Sequence, residues 1–222
     1  MITNAREHLR PLLKELTGDE KHDASSHSTL DVLWVLYDRV LRYDPRNPRS
    51  EERDRFVLSK GHGPVAYYAI LADKGFFPVA ELKKFRQWDS ILGAHPDRNQ
   101  VPGVETSTGS LGHGLPMAVG MALALRLKQS DRRIFALIGD GECNEGSIWE
   151  AIIQAGHRQL SNLTCIAINN HSSSIELGDL AAKFAAFGWA ATTINGRDHD
   201  QIYHALIHPD NERPTAIVAE IG

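Results

Sequence analysis

"IGDGECNEGSIWEAIIQAGHRQLSNLTCIAINNHSSS" runs from Ile138 to Ser174 and decides how the chain folds. The apolar run "RIFALIG" leads into it, sharing its first two residues, and "LTCIAINN" lies inside it, with a helix-like stretch, "EGSIWEAIIQAGHRQ", between them. Apolar runs of strand length, separated by a helix of about four turns, are the pattern of parallel strands buried on both faces. In such a sheet, ligands gather where the carboxyl ends of the strands meet their loops. Gly139, Asp140 and Gly141 stand at the end of the first run, and Asn169 and Asn170 at the end of the next. "GDG" alone reads better as a tight turn with a helix-capping aspartate. An asparagine closing the next strand shifts the balance. A carboxylate oxygen and an amide oxygen at neighbouring strand tips suit a hard divalent cation such as magnesium, completed by a backbone carbonyl and phosphate oxygens.

The same alternation continues to the end of the chain. "GDLAAKFAAFGW" and "DHDQIYHALI" read as helices, "AATTIN" and "TAIVAEIG" as strands. Upstream, "RFVLS" reads as a short buried strand running into "KGHG". Helices are expected at 64–74, at 79–88 and over "LPMAVGMALALRLK". The first helix carries Leu9, Leu12, Leu13 and Leu16 at helical spacing, with Thr3 or Asn4 as its cap and Gly18 as its end. Ser28 is expected to cap a second helix, with Asp31 completing a short capping box. "GAHPDRNQVPGVETSTGSLGHG", from Gly93 to Gly114, is the longest irregular stretch, and such loops in compact domains are usually functional. The class is α/β: one domain over residues 1–222, a parallel sheet covered by helices on both faces.

Composition narrows the function. A net charge of −4 and a pI near 6.2 give no general basic surface for nucleic acid. No apolar run approaches the roughly 20 residues of a membrane helix, and the amphipathic, acid-containing N-terminus is unlike a secretory signal. Two cysteines, Cys143 and Cys165, form neither a disulfide framework nor a CxxC motif, which fits a cytoplasmic setting. Cys165 reads as a core residue; Cys143, beside the glycine turn, is expected to be partly exposed. Trp149 and Ile153 read as packing residues of one helical face.

"GDGECNEGSIWEA", followed by an asparagine thirty positions after Asp140, resembles the thiamine diphosphate motif. "DRFVLSKGHG", the Gly93–Gly114 stretch and "RPTAIVAEIG" resemble successive blocks of the diphosphate-binding domain of the transketolase family, over about Lys21 to Gly222. The resemblance implies the thiamine-diphosphate-binding fold, with thiamine diphosphate and Mg2+ (or Ca2+ or Mn2+ in its place) as cofactors. It implies that Asp140 and Asn170 hold the metal with the backbone carbonyl of Ser172, and that Gly141 presents its N–H to the diphosphate. His62 would lie near the cofactor phosphates, His95 near the donor's hydroxyl groups and His22 at the entrance to the reactive carbon. Gly109 and Leu111 would contact the aminopyrimidine ring, and Glu145 would sit at the interface between active sites.

Two loops depart from the family pattern. "INNHSSS" puts His171 where the family has glycine at the cofactor turn, and "KHDASSH" has lost the glycines of the first loop. The glutamate that activates the cofactor belongs, in the family, to a pyrimidine-binding domain that this chain lacks. The resemblance therefore implies one subunit of a split enzyme, expected as an α2β2 heterotetramer with a subunit carrying the pyrimidine-binding and C-terminal domains. The activity it implies is transfer of a two-carbon ketol unit between small carbonyl or sugar phosphate substrates. The alternatives are carboligation of a 2-oxo acid and a degenerate role that only stabilises the partner.

Overall fold

The computed structural model describes residues 5–16, 27–62 and 64–221. Among these residues five strands, all parallel, form a single sheet: β1 (Arg55–Leu58), β2 (Ile134–Gly139), β3 (Leu163–Asn169), β4 (Ala190–Asn195) and β5 (Thr215–Glu220), in the order β1-β2-β3-β5-β4. β5 inserts between β3 and β4, which leaves β4 on an edge with Thr192, Thr193 and Asn195 exposed.

Alternation along each strand builds two cores, because successive side chains leave a strand on opposite faces. Phe135 and Leu137 of β2 point to one face, with Ile166 and Ile168 of β3. Packed on that face are α1 (Ala5–Glu15), α2 (Leu30–Val35, prolonged by a π-helical turn over Leu36–Val40), α3 (Val65–Asp73) and α7 (His199–Ile207). Ile134, Ala136 and Ile138 of β2 point the other way, with Leu163, Cys165 and Ala167 of β3. They meet α4 (Gly114–Leu127), α5 (Gly146–His157) and α6 (Leu180–Ala186). The sheet is thus covered on both faces, as the continuous apolar runs require.

Four local expectations change. The residue before α2 is Thr29, which makes no side-chain cap bond. The carboxylate of Asp31 is instead drawn across to the β4–α7 connection, where it accepts from Arg197 Nη1 at 3.0 Å and pairs with His199 Nε2 at 3.1 Å. A charged partner outweighs a cap, since hydrogen bonds to ionised groups are the stronger ones. The stretch 79–88 forms only a 3-10 turn over Val79–Lys84, beyond which Arg86 adopts a positive φ of 61°. Cys143 is buried, 1 % exposed, because the chain after Asp140 coils under the sheet edge; burial pushes its thiol up to about 12. Ile153 is 43 % exposed, whereas Trp149 packs against the second core and donates from Nε1 to the Cys143 carbonyl at 2.8 Å. Cys165 is fully buried as expected. The caps at Thr3 or Asn4, the end at Gly18 and most of the loop around His22 lie outside the described residues.

Candidate thiamine diphosphate cleft

β2 and β3 run in register to Gly139 opposite Ile168, and the Asp140 N–H extends the ladder to the Ile168 carbonyl at 2.9 Å. The Asp140 side chain therefore starts from a fixed backbone, and it is 1 % exposed. Oδ1 accepts from the Gly141 N–H at 2.8 Å and the Ser172 hydroxyl at 2.7 Å. Oδ2 accepts from the N–H groups of Ser172 at 2.6 Å and Ser173 at 3.2 Å. An ionised carboxylate has about four lone-pair sites; three donors from the turn after β3 and the Gly141 N–H fill them, and the turn ties the two strand tips together.

The two asparagines have different fates. Asn169 donates from Nδ2 to Glu220 Oε1 at 2.9 Å, pinning β3 to β5. The side-chain oxygen of Asn170 is buried and has no hydrogen-bond partner. Stranding such an acceptor costs about 1–3 kcal/mol, so an electropositive group is called for at that point. Two residues on, Ser172 grips Asp140, and its carbonyl oxygen lies 3.7 Å from where a Cβ on Gly141 would stand. Carboxylate, amide oxygen and carbonyl are the hard oxygen set that Mg2+ or Ca2+ accepts. Ser172 now offers Asp140 its N–H and hydroxyl, so a cation reaching the carboxylate must displace at least the hydroxyl, which turns freely.

Beside this turn opens a cleft of about 390 Å³, lined by His62, Leu111, Gly141, Glu145 and Ser172 together with Lys60 and Glu142. Lys60 lies over Gly139, its Nζ 3.2 Å from the position a Cβ would take there. Burial lowers the pKa of its ammonium group, while Asp140 and Glu142 nearby act to raise it. Glu142 is 2 % exposed. Its Oε1 accepts from the Ser59 hydroxyl at 2.5 Å and the Gly112 N–H at 2.9 Å, and its Oε2 from the Gly139 N–H at 3.3 Å. Burial raises its carboxyl above the usual range against the pull of those donors. One carboxylate thus joins the end of β1, the glycine loop before α4 and the tip of β2. Sequence reasoning assigned neither Lys60 nor Glu142. Both sit within quoted motifs, but nothing in their spacing reveals that they meet.

The long irregular stretch folds back on itself at the same edge. The rings of His62 and His95 meet edge to face with centroids 5.1 Å apart. Gly109 has a φ of +134°, and a Cβ there would stand 2.7 Å from the His95 ring, so the backbone must be bare where it passes that histidine. His113 does not line the cleft; its Nδ1 bonds back to the Leu111 carbonyl at 2.9 Å. Glu145 is the residue before α5, at the cleft wall. His171 takes the left-handed conformation, φ 56°, with Nε2 3.5 Å from Glu220 Oε2. It keeps the shape that glycine would give this turn, at a cost of about 1–2 kcal/mol. The structure therefore gathers His62, Leu111, Asp140, Gly141, Glu145 and Ser172 at one edge, with His95 in edge contact with His62 and Gly109 against His95. His22 lies outside the described residues.

Known proteins share this sequence and this fold. The family profile described as "Transketolase, thiamine diphosphate binding domain" matches residues 17–221. A protein of Rhodococcoides fascians named "Ferredoxin fas2" is 48% identical over 215 residues, covering 96% of this chain and 71% of its own length. The 6-deoxy-6-sulfo-D-fructose transketolase subunit SqwG of a Clostridium strain is 40% identical, covering 90% of this chain and 78% of its own length. An apulose-4-phosphate transketolase subunit of Actinobacillus succinogenes is 39% identical, covering 89% of this chain and 75% of its own length. A transketolase mutant from Pichia stipitis superposes with a TM-score of 0.86 at 28% identity, covering 97% of this chain. The chain spans about a third of that solved transketolase, 35% of its length. This chain belongs to the transketolase family, where it corresponds to the thiamine diphosphate-binding domain.

Proposed function

We propose that this chain is the diphosphate-binding subunit of a transketolase, which moves a two-carbon ketol unit from a ketose to an aldehyde once a second subunit completes the site. The observation that carries the reading is the buried, unpartnered Asn170 oxygen next to the turn that holds Asp140. Asp140 and Asn170, with the Ser172 carbonyl, would hold Mg2+, or Ca2+ or Mn2+ in its place. Gly141 would turn its N–H from Asp140 toward the diphosphate. Thiamine diphosphate, when bound, supplies a nucleophilic carbon that adds to a ketose carbonyl.

The other residues act on what is bound. His62 and His95, whose rings meet edge to face, would offer ring N–H groups to a phosphate oxygen and to a donor hydroxyl, respectively. That pairing suits a hydroxylated donor better than a 2-oxo acid. Leu111 and Gly109 would lie along the aminopyrimidine, and Glu145 would meet the partner. His22 would guard the entrance.

Two relatives are named as transketolase subunits, which supports a separate partner subunit; that partner would carry the pyrimidine-binding and C-terminal domains, with two copies of each chain. The relative named a ferredoxin gives no rival reading. This chain's two cysteines, both buried, fall short of the four thiolates that hold an iron–sulfur cluster. Among the described residues no helix is long and apolar enough to cross a membrane, and the free thiols suit the cytoplasm.

The test is calorimetry of the chain assembled with its partner, titrated with thiamine diphosphate and Mg2+. Saturable binding that Asp140→Ala abolishes, with ketol transfer from a ketose phosphate but no turnover of pyruvate, is expected. Binding unchanged in Asp140→Ala refutes the metal assignment. Turnover of pyruvate alone refutes the transketolase reading.

A further inference from the structure

A second cleft, of about 330 Å³, lies on the amino side of β1 and shares no lining residue with the diphosphate cleft. Four arginines line it, Arg49, Arg53, Arg55 and Arg98, against two glutamates, Glu51 and Glu105. Two of the arginines are committed. Arg53 pairs through Nη2 with Glu105 and donates from Nε to the Pro48 carbonyl at 2.7 Å, and Arg55 Nε stands 3.7 Å from the same Glu105. The other two are not: among the described residues Arg49 and Arg98 have no ion-pair partner. Arg98 is nonetheless held at its backbone, where its N–H donates to the Ser107 hydroxyl at 2.9 Å.

The lining is therefore short of negative charge by two units. It is also short of an acceptor, because Arg53 Nη1 is buried without a hydrogen-bond partner on a side chain only 15% exposed. Burial and the neighbouring Arg53 together lower the pKa of the Arg55 guanidinium, a sign of crowded positive charge. Guanidinium forks match phosphate oxygens in pairs and prefer them to diffuse counter-ions. The volume sits at the low end of small-ligand sites, about 300–1,000 Å³, and exceeds the space of a bare phosphate.

We propose that this arginine cleft binds a phosphate dianion, free or as the monoester of a small organic molecule. The site is independent of the cofactor reading, because none of its residues belongs to the diphosphate cleft.

The experiment uses the full chain without thiamine diphosphate or divalent ions, titrated with potassium phosphate at constant ionic strength against potassium chloride. Saturable thermal stabilisation by phosphate, absent with chloride, is expected. The double variant Arg49→Ala/Arg98→Ala should weaken the apparent affinity at least tenfold, while Asp140→Ala should leave it within about twofold. Both arginines are exposed, so circular dichroism should match the parent and exclude loss of fold as the cause. Glycerol phosphate binding at least threefold more tightly than phosphate would assign a monoester, and equal binding would assign the free anion. No saturable effect, or one lost in Asp140→Ala but kept in the arginine variant, overturns the proposal.

Discussion

Glu142→Gln is the most informative single change, because it removes one charge while keeping shape. In the parent, one buried carboxylate accepts three hydrogen bonds, from Ser59, Gly112 and Gly139. A glutamine keeps one oxygen, which can stay with Ser59 and Gly112. Its NH2 then faces the Gly139 N–H, donor against donor. The weakest of the three bonds is lost, at 3.3 Å, and a buried N–H is stranded at about 1–3 kcal/mol. Relief of the buried charge offsets part of this, so a net loss of about 2 kcal/mol is expected, and about 4 kcal/mol for Glu142→Ala, which strands three donors. At roughly 2–4 °C per kcal/mol for a chain of this size, the melting temperature should fall by about 4–8 °C and 8–16 °C.

The pH dependence gives an independent check. Burial raises the Glu142 carboxyl above the unfolded value, so the folded state holds its proton where the unfolded state has released it. That contribution to stability is fully present below the ordinary carboxylate range. It is lost as pH rises from there through the raised folded value. In Glu142→Gln this part of the stability–pH curve should be flat. Calorimetric melting of both chains across the acidic range measures it. A glutamine variant as stable as the parent at neutral pH, with the same pH profile, would refute the role assigned to this carboxylate.

Other outcomes follow from the same geometry. Asn170→Ala removes an unpartnered acceptor, so the chain without metal should lose less than about 1 kcal/mol in a denaturant melt, yet Mg2+-dependent thiamine diphosphate binding should fall at least tenfold by calorimetry. His171→Gly relieves a left-handed side chain but loosens the unfolded chain, and its contact with Glu220 is largely exposed; melting should move by less than about 1 kcal/mol in either direction. Gly109→Ala would drive a methyl group to 2.7 Å from the His95 ring at a φ of +134°. A loss of about 2–4 kcal/mol in thermal unfolding is expected, with a shifted His95 resonance by NMR.

Pattern and composition alone were enough for the class. Continuous apolar runs alternating with helices required a parallel sheet buried on both faces, since only that environment tolerates strands without a polar side. That Asp140 and an asparagine stand at the tips of neighbouring strands was equally legible, because β2 and β3 are adjacent in both sequence and space. Three things were decided only in three dimensions. Strand order was one: β5 enters between β3 and β4 although it follows both, and four apolar strands look alike to periodicity. The division of labour between Asn169 and Asn170 was another, set by which of them faces Glu220 on β5. Glu142 was the third. Its three donors come from residues 59, 112 and 139, and no local spacing can announce a carboxylate whose partners are brought together by the sheet.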